Sequence, residues 1–205
     1  IDNFISNKDI HTATAMKIFH KSESEVTPQM RGVAKSINFG LIYGMGASKL
    51  SKEINISKED AKLYIDNYFK MYPNIKTFMD KTVQDCKRLG YVKTILNRIR
   101  FIPEINSDSK LLQANGQRIA MNTPIQGSSA DIIKLAMINV YNRLKNENLN
   151  ANLILQVHDE LLIESDKSCA EVVAKIVKEE MENVMKLSVP LTVEVNIGGS
   201  WFDAH

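Results

Sequence analysis

The chain has 205 residues, 44% hydrophobic and 24% charged, a balance that supports one substantial core or two small ones and argues against disorder. Its apolar runs, such as Leu153-Ile154-Leu155 and Leu161-Leu162-Ile163, are too short to cross a bilayer. The two cysteines and the histidines His11, His20, His158 and His205 show neither a disulfide framework nor zinc spacing.

The net charge of +2 conceals a division: residues 27–135 carry +8 and the remainder −6. A basic middle with acidic flanks suits a phosphate-facing surface joined to a carboxylate-bearing part. In chain order, Asp9 is placed to cap a helix that runs to His20. Thr27 as N-cap and Pro28 at the first helical position open a second helix, and Gly44 closes it as C-cap. Along this helix Arg31, Lys35, Phe39 and Tyr43 recur every fourth residue. Each such step turns about 40° beyond a full revolution, which lays the four side chains in a slowly winding stripe about 18 Å long. Two cations followed by two aromatics suit a nucleotide laid lengthwise, with Arg and Lys on phosphates and ring faces against base or sugar. The same spacing also belongs to an ordinary half-buried amphipathic helix, and spacing alone does not choose between them.

Gly44-Met45-Gly46 follows a helix instead of a strand and reads as a helix-ending turn, not a phosphate loop. A short helix is expected over Ala47–Glu53, a helix capped by Ser57 to about Met71, and another from Pro73 to Leu89, stopped by Gly90. Tyr91–Ile95 and Arg100–Ile102 read as strands around an Asn97 turn. Ser107–Met121 has a helical pattern that Gly116 weakens, and Pro124 is expected to open a separate long helix through about Lys145. Ile132, Ile133, Leu135, Ala136, Met137, Val140 and Leu144 give that helix its core-facing stripe. Asn152–Val157 and Glu160–Glu164 form a hairpin about His158-Asp159; a helix over Lys167–Met185 and a strand over Leu191–Asn196 follow. The fold class is α+β.

Val157-His158-Asp159-Glu160 sets acidic side chains at a tight turn between apolar strands, where polar residues ordinarily go in any hairpin. Set beside the stripe, it points further. The run Arg31-x3-Lys35-x6-Ile42-Tyr43-Gly44 with Phe39 inside it, the Val-His-Asp-Glu hairpin downstream, and the stretch Arg118-Ile119-Ala120-Met121-Asn122-Thr123-Pro124-Ile125-Gln126-Gly127 together resemble family A DNA polymerases of the bacterial DNA polymerase I type. The resemblance covers nearly the whole chain, from Asp9-Ile10-His11-Thr12 to Gly199-Ser200-Trp201.

The resemblance implies a palm-to-fingers connecting segment over 1–26, a helical fingers subdomain over 27–122 and a C-terminal part of the palm over 123–205, built on the hairpin and packed helices. It implies template-directed transfer of nucleotides from deoxynucleoside triphosphates to a primer 3′ hydroxyl, in DNA replication and repair. Arg31, Lys35, Phe39 and Tyr43 would bind the nucleotide. Asp159 would ligate metal in a two-ion Mg²⁺ site with Glu160 beside it, and Lys35 would join these two in the catalytic group. Tyr43, Gly44, Arg98, Arg100, Arg118, Asn122, Gln126 and His158 would meet DNA; minor-groove acceptors occur on every base pair, so Arg and Gln there sense pair geometry without reading sequence. Asn122 and Gln126 have a structural alternative as caps and supports of the Pro124 helix.

Some positions depart from the pattern. Asn97-Arg98-Ile99-Arg100 matches a stretch that is usually richer in Arg and starts with Gly, and Gln113 and Gln117 stand where Arg and Glu are common. The resemblance also places the second metal-binding Asp on a strand upstream of Ile1, so residues 1–205 alone are expected to bind DNA or nucleotide weakly and not to polymerise. The expected partners are primer–template DNA, deoxynucleoside triphosphates and the remaining N-terminal part of the polymerase, with no membrane. The expected setting is the cytoplasm at the nucleoid, or an organelle. A single-subunit RNA polymerase shares the Lys…Tyr-Gly helix and an Asp hairpin, but Glu160 after His158-Asp159 favours the DNA enzyme. A non-catalytic DNA-binding module is the rival from another class, and retention of Lys35, Tyr43 and Asp159 argues against it.

Overall fold

In the computed structural model, which describes residues 1–6 and 8–204, the helices beginning at Ile10, Pro28 and Lys58 start on the capping side chains of Asp9, Thr27 and Ser57. His205, counted among the histidines above, lies outside the described residues. The chain forms two compact units, the first from Asp2 to Gly127 and the second from Ser128 onward.

In the first unit, α1 (Asp2–Ile5) precedes α2 (Ile10–Phe19), where the Asp9 side chain accepts from the His11 and Thr12 N–H groups as N-cap. Thr27 Oγ1 accepts from Met30 N–H at 3.2 Å and opens α3 (Pro28–Ile42). This helix closes one residue earlier than expected: Tyr43 is the cap, and Gly44 is the left-handed residue after it, at φ +74°. The Gly44 and Met45 N–H groups donate to the Leu41 and Gly40 carbonyls at 2.9 and 2.7 Å, a geometry that needs φ > 0 at Gly44. The next helices, α4 (Ala47–Glu53), α5 (Lys58–Met71) and α6 (Pro73–Leu89), lie where the sequence places them. Ile18, Ile37, Leu41, Leu50, Ala61 and Tyr68 from α2 to α5 bury one core.

A second core of Cys86, Val92, Ile102, Ile105 and Ala120 lies in the same unit. It packs α6 and the short antiparallel pair β1 (Tyr91–Lys93) and β2 (Ile99–Phe101) against the start of α7 (Lys110–Asn146). The first strand is shorter than expected, because Thr94 already belongs to the turn. Its carbonyl accepts from Asn97 N–H and its hydroxyl from Arg98 N–H, at 2.9 and 3.1 Å.

The two helices expected on either side of residues 122–123 are one. Pro124 sits inside α7. Proline costs a helix one N–H donor and crowds the preceding turn, but its fixed φ is helical. Buried Ala120 and Thr123 tie the surrounding turns to the core, and the Thr123 hydroxyl donates to the Ile119 carbonyl at 2.7 Å. Gly116 has a positive reason to be in this helix. A Cβ there would stand 2.8 Å from Ile105 N and 2.9 Å from the Glu104 carbonyl carbon, inside the 3₁₀ turn Pro103–Asn106. Gly116→Ala is therefore expected to destabilise the protein by about 1–3 kcal/mol despite its better helix propensity. A denaturant midpoint equal to or above that of the parent would contradict this.

In the second unit the remainder of α7 supplies Val140 and Leu144 to a third core, completed by Val173, Ile176 and Val177 of α8 (Ala170–Glu182). Partly buried Leu161 and Ile163, from a hairpin of β3 (Ala151–Val157) and β4 (Glu160–Ser165), pack on it. Arg143 of α7 donates to Glu179 and Glu180 of α8 at 2.7 and 3.0 Å and to Glu147 on its own helix. The helix expected over Lys167–Met185 divides into a 3₁₀ turn, Lys167–Cys169, and the shorter α8.

The strand expected over Leu191–Asn196 is not formed among the described residues. Leu191, Val193 and Val195 alternate with exposed neighbours as a strand would, but the segment has no ladder, and Val193 N–H donates to Glu182 Oε1 at 3.0 Å. Alternation reports a half-covered extended chain, whereas a strand also needs a neighbouring edge. A final turn, α9 (Trp201–Ala204), ends the described chain. The class is α+β: among the described residues mostly helix, with two two-stranded antiparallel sheets. No described helix is long and apolar enough to cross a membrane.

Candidate nucleotide and carboxylate sites

Helix α3 buries Ala34, Ile37, Asn38 and Leu41 and leaves Arg31, Lys35, Phe39 and Tyr43 outside. Phe39 is 46% and Tyr43 40% exposed, so each ring keeps part of its surface open to solvent on the side away from the core. That open surface leaves the rings available for stacking.

The head of the stripe is tied to α2. Arg31 Nε donates to Asp9 Oδ2 at 2.5 Å, and this bond, helped by those from Thr12 and His11, holds the Asp9 carboxyl well below the usual carboxylate range. The His11 ring lies 5.4 Å from the Phe39 ring, tilted by 48°. Buried Asn38 donates from Nδ2 to His11 Nδ1 and to Thr14 Oγ1, both at 3.1 Å. Partial burial pushes the His11 imidazole down, which favours the neutral ring that accepts at Nδ1.

The tail of the stripe opens on a cleft of about 460 Å³ lined by Lys35, Phe39, Tyr43, Gly44, Lys49 and Arg118 among others. Gly44 brings Arg118 there: a Cβ on it would meet Met121 Cε at 2.9 Å and Arg118 Cγ at 3.2 Å. Arg118 is further steadied by a 3.3 Å bond from Nη2 to Asn115 Oδ1.

The remaining DNA-contact candidates of this unit divide. Arg98 Nη2 donates to the Gly127 carbonyl at 3.0 Å and Arg100 Nη1 to Thr123 Oγ1 at 3.4 Å, so both arginines brace the β1–β2 hairpin on α7. Gln126 is exposed, while the buried Asn122 Oδ1 has no hydrogen-bond partner among the described residues. Capping by Asn122 and Gln126 does not arise, because no helix begins there.

In the second unit the hairpin tip is a two-residue loop closed by the Val157–Glu160 pair. His158 takes the left-handed conformation at φ 54°, and Gln156 Nε2 donates to its carbonyl at 2.5 Å. This turn leaves His158, Asp159 and Glu160 exposed. Among the described residues, no three His, Cys, Asp or Glu side chains gather into a metal-holding group. Two adjacent exposed carboxylates still offer the hard oxygen donors that suit Mg²⁺, an ion that commonly takes one or two carboxylates and fills its shell with water and phosphate oxygens.

The family model described as DNA polymerase family A matches residues 1–203. The chain belongs to DNA polymerase family A. It is 48% identical to DNA polymerase I of Caldicellulosiruptor bescii over 203 residues, which are 99% of this chain and 24% of that protein. It is also 48% identical to DNA polymerase I of Bacillus caldotenax over 204 residues, 100% of this chain and 23% of that one. Among solved structures it is similar to the POL domain of Pol1 from M. smegmatis, in complex with DNA primer-template and dNTP. The TM-score is 0.94 at 38% identity, covering 99% of this chain and 36% of the other. The chain thus spans about a quarter of the length of the curated relatives it matches.

For a family A polymerase chain the α3 stripe has neighbours that the sequence reading missed as site residues. Asp9 has a cap's local signature, which it fulfils, but its ion pair with Arg31 depends on how α2 packs on α3. His11 reaches the stripe through the same packing. Lys49 lines the cleft because the Gly44 turn folds α4 back towards the end of α3, and its position on an exposed helix face gave no periodic signal. In this polymerase family member, the first unit therefore gathers exposed cations and aromatic rings along one helix, and the second offers carboxylates at a hairpin tip.

Proposed function

We propose that this chain is the fingers and C-terminal palm portion of a DNA-directed DNA polymerase. It would take part in template-directed transfer of a deoxynucleotide to a primer 3′ hydroxyl in replication and repair. The observation that carries the reading is the exposed Arg31, Lys35, Phe39 and Tyr43 stripe on one helix of a family A chain. Residues 27–122 act as fingers, 1–26 as the segment leading into them and 123–205 as palm.

The primer hydroxyl attacks the α-phosphate, its new P–O bond forming as the bond to pyrophosphate breaks. Lys35 and Arg31 lie against the triphosphate and offset the negative charge that grows on the leaving group. Phe39 and Tyr43 pack on the sugar and base. Tyr43, Gly44, Arg118, Asn122 and Gln126 face the new base pair and the strands beside it, and His158 supports the primer end. Arg98 and Arg100 serve DNA while bracing the hairpin that carries them. Asp159 would hold Mg²⁺ with Glu160 beside it; the bound ion supplies charge neutralisation on the attacking and leaving oxygens. The partners are primer–template DNA, deoxynucleoside triphosphates and the rest of the polymerase, working in the cytoplasm at the nucleoid.

The test is primer extension by the full-length gene product with Mg²⁺. Template-dependent addition of deoxynucleotides to a primer is expected. Primer-independent incorporation of ribonucleotides would favour an RNA polymerase, and DNA binding with no incorporation would favour a binding module.

A further inference from the structure

We propose that Asp9 is a positioning residue for Arg31, holding its guanidinium by Nε so that the two terminal nitrogens stay free for two oxygens of a nucleotide phosphate. This rests on the reading of α3 as the nucleotide-binding helix. The Asp9 carboxylate is itself held from several directions. Oδ1 accepts from His11 N–H at 3.0 Å, and Oδ2 accepts from Thr12 N–H at 3.3 Å, Thr12 Oγ1 at 2.7 Å and Arg31 Nε at 2.5 Å. It is therefore a fixed post on the first turn of α2. Among the described residues the Arg31 terminal nitrogens make no hydrogen bond, so the edge of the guanidinium that matches a phosphate in bidentate fashion is unspent.

Arg31 needs such a post. It sits one turn into α3, where the positive end of the helix dipole disfavours a cation, and its side chain is about half exposed. A long, solvated side chain loses rotamer freedom when it grips a ligand, and ordering it beforehand removes that cost from binding. The ordinary alternative is an exposed ion pair that joins α2 to α3 and does little else.

The substitution that separates these is Asp9→Asn. Asn caps a helix as well as Asp does, so the start of α2 is retained while the charge facing Arg31 is lost. In single-turnover incorporation by the full-length polymerase, Asp9→Asn is expected to raise the apparent deoxynucleotide Kd about three- to tenfold, with the maximal rate within about twofold and primer–template affinity and Tm unchanged. In an Arg31→Ala background the same change should add nothing. If Arg31→Ala itself leaves nucleotide Kd unchanged, the assignment of α3 fails. If Arg31→Ala weakens nucleotide binding but Asp9→Asn does not, or if Asp9→Asn weakens it equally in the Arg31→Ala background, the role of Asp9 is overturned and that of α3 stands.

Discussion

Asp159→Ala in the full-length polymerase is expected to lower the single-turnover rate of nucleotide incorporation at least about a thousandfold, with little change in primer–template affinity or thermal stability. The two halves of this expectation come from one feature, the exposure of Asp159 at the tip of the β3–β4 loop. The loop is held without the Asp159 side chain: the Val157–Glu160 backbone pair closes it, and the Gln156 side chain donates from Nε2 to the His158 carbonyl. Removing the Asp159 carboxylate leaves those bonds, and the third core behind the hairpin, in place. What is lost is an oxygen donor suited to Mg²⁺, at the point where the proposed phosphoryl transfer would concentrate charge. Glu160→Ala is expected to cost less, because in the proposed site Glu160 would stand beside the metal ligand instead of supplying it. A rate for Asp159→Ala within tenfold of the parent at saturating Mg²⁺ would remove Asp159 from the metal site.

How far the site could be read from sequence depended on whether its signals were local. The ends of helix α3 were legible to within a residue: Thr27, Pro28 and Gly44 mark them, and four-residue spacing sets the stripe on one face. Whether that face was buried was not legible, since exposure depends on α2, α4 and α5 covering the opposite side. Pro124 misled for the complementary reason. A local rule ends helices at proline, but packing at Ala120 and Thr123 carried α7 through it. Leu191–Asn196 has the right alternation for a strand and lacks an edge to join, a property of no residue in the segment. Arg98 and Arg100, which the resemblance sets on DNA, are exposed and also bond to Gly127 and Thr123 of α7, partners far away in sequence. The Asp9–Arg31 pair bridges 22 positions, beyond any helical period.

The stripe gives the second large expectation. Lys35→Ala in the full-length polymerase should weaken deoxynucleotide binding about ten- to a hundredfold, as expected for loss of a charge-assisted bond of about 1.5–3 kcal/mol. The fold should not notice. Lys35 is exposed midway along α3, the replacement is the best helix former, and Ala34 and Ile37 keep the core. The maximal rate should fall as well, since in the proposed site the same ammonium would face charge that grows on the departing pyrophosphate. A part of the effect therefore appears only in the transition state. Lys35→Arg separates charge from shape: it restores the cation but replaces a compact ammonium by a planar fork, so partial recovery of binding with incomplete recovery of rate is expected. Added salt should narrow the gap between parent and Lys35→Ala, because an exposed cation is screened where a buried one is not. Unchanged nucleotide Kd and rate in Lys35→Ala, with the helix intact, would mean that the exposed cations of α3 serve something other than the incoming nucleotide.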